Sequence, residues 1–295
     1  MFRIVLSTIL LFISFSSNAN KLNNSIFYGF GERQSEVDWN IAGNLLGTNP
    51  NVISELEWKK IKSHQFLFGS VLQDGDYFLK FFGEYGYVYD GRNQDSDYNY
   101  DNRQGEFSRS INNSGKGYIL DTGVSYGRDY RFLKKFKVSP RVGYSFHRQH
   151  LKIYDGKMVI GSADLTGLDS LYQANWIGPQ LGIGLKYKKN KSVLSFDYSL
   201  QDVDFNAYTD WNLRSDLKHP KSMTQKGDGS GVKISASYER AISNFSSLSL
   251  VGNFYKYNAD GTHTFHLTSS GDASQKLNQV NWRSSEIKLV YRSLF

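Results

Sequence analysis

The chain contains no cysteine, so it can carry neither a disulfide scaffold nor thiol chemistry. Proline is scarce, at four in 295 residues, which leaves most of the chain free to run as uninterrupted β-strand. Long apolar runs are also missing. Past residue 19 none approaches the roughly 20 residues that a membrane-spanning helix needs. The remainder of the chain therefore crosses a membrane as a β-barrel or not at all. There is no phosphate-cradling glycine loop and no zinc-ligand spacing. His147 and His150, like His263 and His266, stand three apart on expected strands and so face opposite sides, which disfavours a shared metal.

What is present begins with a targeting signal. Arg3 precedes an uncharged run from Ile4 to Phe15, and Ser17-Asn18-Ala19 offers the small residues that a signal peptidase accepts. Residues 1–19 read as a signal peptide, with a retained membrane helix as the alternative, and 20–295 as the exported domain. The chain is rich in glycine (27), tyrosine (20) and phenylalanine (20), a mixture suited to many strands with aromatic belts and polar loops. Its formal charge of +7 suits anionic lipid head groups, and equally suits simple solubility.

Alternation with period two recurs through the exported part. In 77–90 the odd positions hold Tyr77, Leu79, Phe81, Tyr85, Tyr87 and Tyr89, while the even ones include Lys80 and Glu84. The last eleven residues put Ile287, Leu289, Tyr291 and Phe295 on one face and Glu286, Lys288 and Arg292 on the other. Ten strands result, an even number that returns both termini to one side. Short turns at 73–76, 133–135, 188–191 and 243–244 alternate with long polar loops near 41–52, 91–115, 155–171, 209–227 and 261–276. The fold expected is all-β: a ten-stranded antiparallel up-and-down transmembrane barrel of the bacterial outer membrane, with short periplasmic turns and long extracellular loops. A soluble antiparallel barrel or sandwich is the alternative, but the lipid-sized apolar faces and the terminal Phe295 favour the membrane. Several strands exceed the roughly 9–11 residues that cross a bilayer, so the barrel is expected to rise above its outer surface. A ten-stranded lumen is narrow enough for side chains to fill, which argues against a wide pore. Inward Glu84, Asp121, Arg141, Asp197, Lys233, Glu239, Glu286, Lys288 and Arg292 are expected to pair there. Interfacial anchoring is the expected role of some of the five tryptophans.

Two stretches carry a family resemblance. Ser54-Glu-Leu-Glu-Trp-Lys59 resembles the omptin pattern in which Leu-Asp-Trp-Lys sits early in the barrel. It is followed, as in omptins, by a strand, a short turn, another strand and an Asp-x-Asp element, here Asp95-Ser96-Asp97-Tyr98. The segment 172–207 is similar in strand spacing and aromatic placement. The resemblance implies a ten-stranded outer-membrane endopeptidase in which an Asp pair and an Asp–His pair on opposite walls activate water. It also implies a need for lipopolysaccharide and a preference for basic residues at the cleaved bond. Such chemistry is sound: a carboxylate orients and strengthens an imidazole base, and two adjacent carboxylates can share a proton and hold the water. Asp95 and Asp97 match the first pair. The second departs from the pattern, because an ungapped reading from Asp197 puts Tyr208 and Asp210 where Asp-x-His is expected. The nearest substitute is Asp216 with His219, spaced i, i+3 rather than i, i+2.

Two functions remain open on these residues. The one the residues favour is a non-catalytic surface barrel, adhesin-like or structural, that keeps the scaffold without the dyad. The other is an omptin-like endopeptidase using Asp95, Asp97, Asp216 and His219. No cofactor is expected beyond lipopolysaccharide as a lipid activator. The expected partners are outer-membrane lipid, lipopolysaccharide and extracellular peptides or host proteins; nucleic acid is not among them.

Overall fold

The computed structural model describes residues 24–295; the proposed signal segment at 1–19 lies outside them. Twelve strand segments follow one another: β1 Ser25–Ile41, β2 Ser54–Asp74, β3 Tyr77–Tyr100, β4 Gln104–Asn113, β5 Gly117–Arg128 and β6 Tyr130–Phe132. Then come β7 Phe136–Ile160, β8 Asp169–Lys189, β9 Ser192–Asp210, β10 Met223–Ala241, β11 Ser246–His266 and β12 Asp272–Leu294. Each is antiparallel to its neighbours, and β12 pairs back on β1 from Ser25↔Leu294 to Ile41↔Leu277, so no sheet edge stays open.

The segment count differs from the expected ten because one stave is interrupted. β6, β5 and β4 pair in succession with Phe136–Val138, Arg141–Leu151 and Tyr154–Ile160 of β7. They lie end to end, so the ring has ten positions. The break between β4 and β5 is built around Gly117, whose φ of 132° a side chain would strain and whose added Cβ would stand 2.0 Å from the His150 carbonyl oxygen.

The uninterrupted staves run 17 to 25 residues, longer than a bilayer requires. Their turn-side halves carry the apolar belt. Ile26, Tyr28 and Phe30 on β1, Phe66 and Phe68 on β2, Leu181, Ile183 and Leu185 on β8, and Ile287 and Leu289 on β12 all point outward and exposed. Above the belt the same outward positions become Gln34, Glu36, Lys62, Arg92, Lys256 and Arg283, so the outer halves stand clear of hydrocarbon. Two expectations about the outer end need correcting. The segment 91–115 is not a long loop: β3 and β4 extend it as a hairpin closed at 101–103. Asp95 and Asp97 therefore sit on a strand wall. The tryptophans Trp39, Trp58, Trp176 and Trp282 are also not interfacial anchors but fully buried inside the lumen. They fall on the inward parity of their strands, and the belt is furnished by Tyr, Phe and Leu instead.

Candidate functional site

The lumen is stratified along the barrel axis. At mid-height lies a buried ionic layer. Arg33 Nη2 meets Asp121 Oδ2 at 2.6 Å, Glu286 Oε2 at 2.6 Å and Glu84 Oε1 at 3.4 Å. Lys288 Nζ bridges Glu84 and Glu286, each at 2.6 Å. His147 Nδ1 stands 3.0 Å from Asp121 Oδ1, and the Tyr255 hydroxyl donates to Glu286 at 3.0 Å. The expected inward pairing is thus observed for Glu84, Asp121, Glu286 and Lys288, and lower down for Arg141–Asp197 (2.6 Å) and Arg292–Glu239 (3.9 Å). Arg33, the hub, was missed by sequence reasoning. Its signal is the run Gly31-x-Arg33-x-Ser35 on the face opposite Tyr28 and Phe30.

Above this layer the lumen is filled by aromatic rings from facing walls. Trp282 packs on Tyr255 and Tyr257 at 5.5 and 4.9 Å between centroids, and Trp176 packs on Phe205 at 4.6 Å. Trp58 of β2 reaches across to stack on Tyr172 of β8 at 4.7 Å. Glutamine amide oxygens accept from some of them: Trp176 Nε1 donates to Gln149 at 2.8 Å and the Tyr172 hydroxyl to Gln225 at 3.1 Å. The outer lumen is a packed core rather than a channel.

Asp95 and Asp97 lie at the outer edge of this plug. A bulge at Lys59–Lys62, with Lys60 at φ 54°, shifts the parity of β2 against β3. Leu56, Trp58 and Asn93 thereby turn inward, and Asp95 and Asp97 follow on the same face, opposite Leu56 and Ser54. The matched spacing does bring these two carboxylates together. They lie above the belt, beyond Arg92, where burial and the neighbouring Asp97 push the Asp95 carboxyl well above the usual carboxylate range. Burial likewise raises Asp97, against the opposing pull of Ser54, Ser108 and Arg214. Arg214, in the loop at 211–222, is the cation within electrostatic range of both.

The proposed base does not assemble as expected. Asp216 does not pair with His219; it takes a two-pronged bond from Arg214, at 2.8 and 2.7 Å, which holds its carboxyl below the usual range. His219 instead pairs through Nδ1 with Asp210 Oδ1 at 2.6 Å. Asp210 belongs to the outward set Asp204, Asn206, Tyr208 and Asp210 of β9, while Val203, Phe205, Ala207 and Thr209 face the lumen. The Asp–His pair therefore sits on the outer face of its strand, and the lumen wall at that height presents Ala207 and Thr209. The physical reason is the strand parity of two: an acceptor at an even position of β9 cannot share a face with its odd neighbours. The loop that carries His219 also closes the mouth. Leu217 is buried in the plug, its backbone bridges Leu267, and Trp211 packs alongside with Nε1 against the Met223 sulfur at 3.0 Å.

Outside the barrel, above the belt, exposed Lys59, Lys60 and Arg92 and half-buried Lys62 of β2 and β3 form one basic patch, in which Lys59 pairs with Glu57 at 2.6 Å and Lys62 with Asp90 at 2.9 Å. Exposed Lys256 and Arg283 of β11 and β12 form another. Beneath the first patch His64 Nδ1 pairs with Glu32 at 2.5 Å, and the His64 ring stacks on Tyr89 at 4.4 Å.

Among solved structures the chain is similar to the outer membrane protease OmpT from Escherichia coli, at a TM-score of 0.75 and 11% identity, covering 95% of this chain and 100% of that one. At that identity the likeness is one of fold. The translocator domain of the autotransporter NalP from Neisseria meningitidis is 9% identical with a TM-score of 0.38, covering 100% of this chain and 96% of that one. OprG from Pseudomonas aeruginosa is 9% identical with a TM-score of 0.35, covering 94% and 98%. Neither of the last two carries an argument about this chain. No curated protein matches by sequence. A family model described as "Pom: Protochlamydia outer membrane protein" matches residues 27–294, nearly the whole described barrel. With its lipid-facing belt, closed ring and omptin-like fold, this bacterial outer-membrane barrel belongs to the Protochlamydia outer membrane protein family.

Proposed function

We propose that this protein is a non-catalytic barrel of the cell surface, adhesin-like or structural, which keeps an omptin-like scaffold without a hydrolytic groove. The observation that supports this most directly is the orientation of the Asp210–His219 pair away from the lumen that holds Asp95 and Asp97. A general base must come within hydrogen-bond reach of the water it activates, directly or through one further water. The wall opposite the carboxylates offers Ala207 and Thr209, which supply no such base, and Leu217 and the Trp58–Tyr172 stack occupy the space a peptide would enter. Arg214, itself paired with Asp216, lies within electrostatic range of the acidic pair.

The same reading gives the outer surface its partners. On this reading the Lys59, Lys60, Lys62, Arg92 patch above the apolar belt is offered to lipopolysaccharide phosphates, since ammonium and guanidinium groups bind phosphate well. The rigid outer hairpins are then the surface offered to extracellular peptides or host proteins. The test is a cleavage assay on the barrel refolded with lipopolysaccharide, using a broad library of basic-site peptides. The expected result is no cleavage above background, and no difference among parent, Asp95→Asn and His219→Ala. Cleavage by the parent that Asp95→Asn and His219→Ala each reduce by about 10²-fold or more would establish the endopeptidase instead.

A further inference from the structure

Below the ionic layer the lumen opens into a cavity of about 330 Å³ that reaches the turn-side rim at Gln73, Asp129 and Leu294. The plug above makes it a blind vestibule facing the periplasm. Its charges are unequally matched. Lys137 pairs with Asp129 at 2.5 Å, Arg141 with Asp197, Arg292 with Glu239 and Lys288 with Glu84. These pairs use every carboxylate lining the cavity, and three lining lysines are left over. Among the described residues Lys80, Lys186 and Lys233 have no carboxylate within 4.0 Å.

These three come from β3, β8 and β10, staves distributed around the ring, and they converge on one space. Lys80 Nζ lies 5.6 Å from the Phe27 ring centroid, and Lys233 Nζ lies 5.2 Å from Phe82 and 4.8 Å from Tyr255. Aromatic faces hold the Lys80 and Lys233 ammonium groups in place without neutralising them. Lys80 is within electrostatic range of Asp197, already paired with Arg141, and of Lys233, Arg141 and Arg292; Lys186 is within range of Lys137 and Arg292 and of the paired Asp197 and Asp129. Like charges so confined repel one another, and an anion placed between them relieves that repulsion. The walls between them carry hydroxyl donors, among them Ser125, Ser145, Ser199 and Ser235. Ammonium groups and serine hydroxyls on a polar, dead-ended cavity match oxygen-rich anions and offer little to an apolar guest.

We propose that the turn-side half of the lumen is a binding pocket, open to the periplasm, for a small oxyanion bearing two or more negative charges, held by Lys80, Lys186 and Lys233. Phosphate and carboxylate groups share the chemistry this pocket recognises, and the experiment separates them. Calorimetric titration of the refolded full barrel at low ionic strength uses inorganic pyrophosphate in one arm and citrate in the other. Saturable binding with one site per barrel is expected, and the tighter probe assigns the class. Lys80→Gln/Lys186→Gln/Lys233→Gln should weaken it by about 10²-fold or more, as loss of three charge-assisted bonds requires. Lys188→Gln/Lys189→Gln/Lys191→Gln, on the exposed turn beside the rim, should leave it within about twofold. Lysine acetylation of the unmodified barrel, read by mass spectrometry, removes dependence on variant folding. The bound probe should protect Lys80, Lys186 and Lys233 and leave Lys188, Lys189 and Lys191 reactive. Absence of saturable binding with both probes, equal loss in the two triple variants, or no selective protection would each overturn the proposal.

Discussion

Replacing Arg33 with methionine tests whether the ionic layer holds the ring together. Arg33 is fully buried and meets three carboxylates, two of them at 2.6 Å. Methionine restores apolar volume without charge, leaving Glu84 and Glu286 to share Lys288, with Lys233 at longer range, and Asp121 with His147 alone. Removing one partner from a buried ionic group typically costs about 3–5 kcal/mol, because the remaining charge is left uncompensated. With a urea dependence of about 2 kcal/mol per molar, the unfolding midpoint should fall by about 2 M. The assay follows the heat-modifiable mobility of the barrel on gels across a urea series. Arg141→Met supplies the comparison. Its partner Asp197 is a third exposed in the wet vestibule, so that loss should cost no more than about 1 kcal/mol. Adding Glu286→Gln to Arg33→Met should cost less than the two single effects combined, by about 1–3 kcal/mol, since both belong to one network. An Arg33→Met midpoint within about 0.3 M of the parent, or no lower than that of Arg141→Met, would refute a structural role for the layer.

Three further outcomes follow from particular residues. The Asp95 carboxyl is raised by burial and by Asp97, so the folded barrel favours its protonated form; the stability this lends is present in acid and is lost as pH rises through the folded value. Asp95→Asn should therefore gain in urea midpoint over the parent between acid and mildly alkaline pH, and a difference that shrinks as pH rises would contradict this. Gly117→Ala should destabilise by about 1–3 kcal/mol, given its φ of 132° and the 2.0 Å approach to the His150 carbonyl, whereas Gly83→Ala, with nothing within 4 Å, should change stability by less than about 0.5 kcal/mol. Equal midpoints for the two would discount the break in the fourth stave. The lumen tryptophans should resist quenching by brominated acyl chains in vesicles, and strong quenching that survives Trp211→Phe would place Trp39, Trp58, Trp176 or Trp282 against lipid.

Much of this architecture was legible along the chain because its cause is local. Alternation such as Ile287, Leu289 and Tyr291 against Glu286, Lys288 and Arg292 reports two solvents on two faces, and each strand declares it independently. The even number of staves and the side on which the termini emerge follow from the same reading. The i, i+2 spacing of Asp95 and Asp97 likewise sufficed to put both on one face. The stretch 91–115 has the composition of a loop although it is strand, because polar residues facing water above the membrane look the same on a strand as in a loop. Strand parity, not position near strand ends, sends Trp39, Trp58, Trp176 and Trp282 inward.

The sequence alone thus determined that this chain is an outer-membrane barrel, since hydrocarbon and water impose their pattern two residues at a time. Only the tertiary structure decided what meets inside it. Arg33 and Glu286 are 253 residues apart, Tyr257 and His147 are 110 apart, and His219 finds Asp210 rather than Asp216. Ring closure, the stagger between staves and the bulge at Lys59–Lys62 set those encounters, and none of these leaves a periodic trace in the chain.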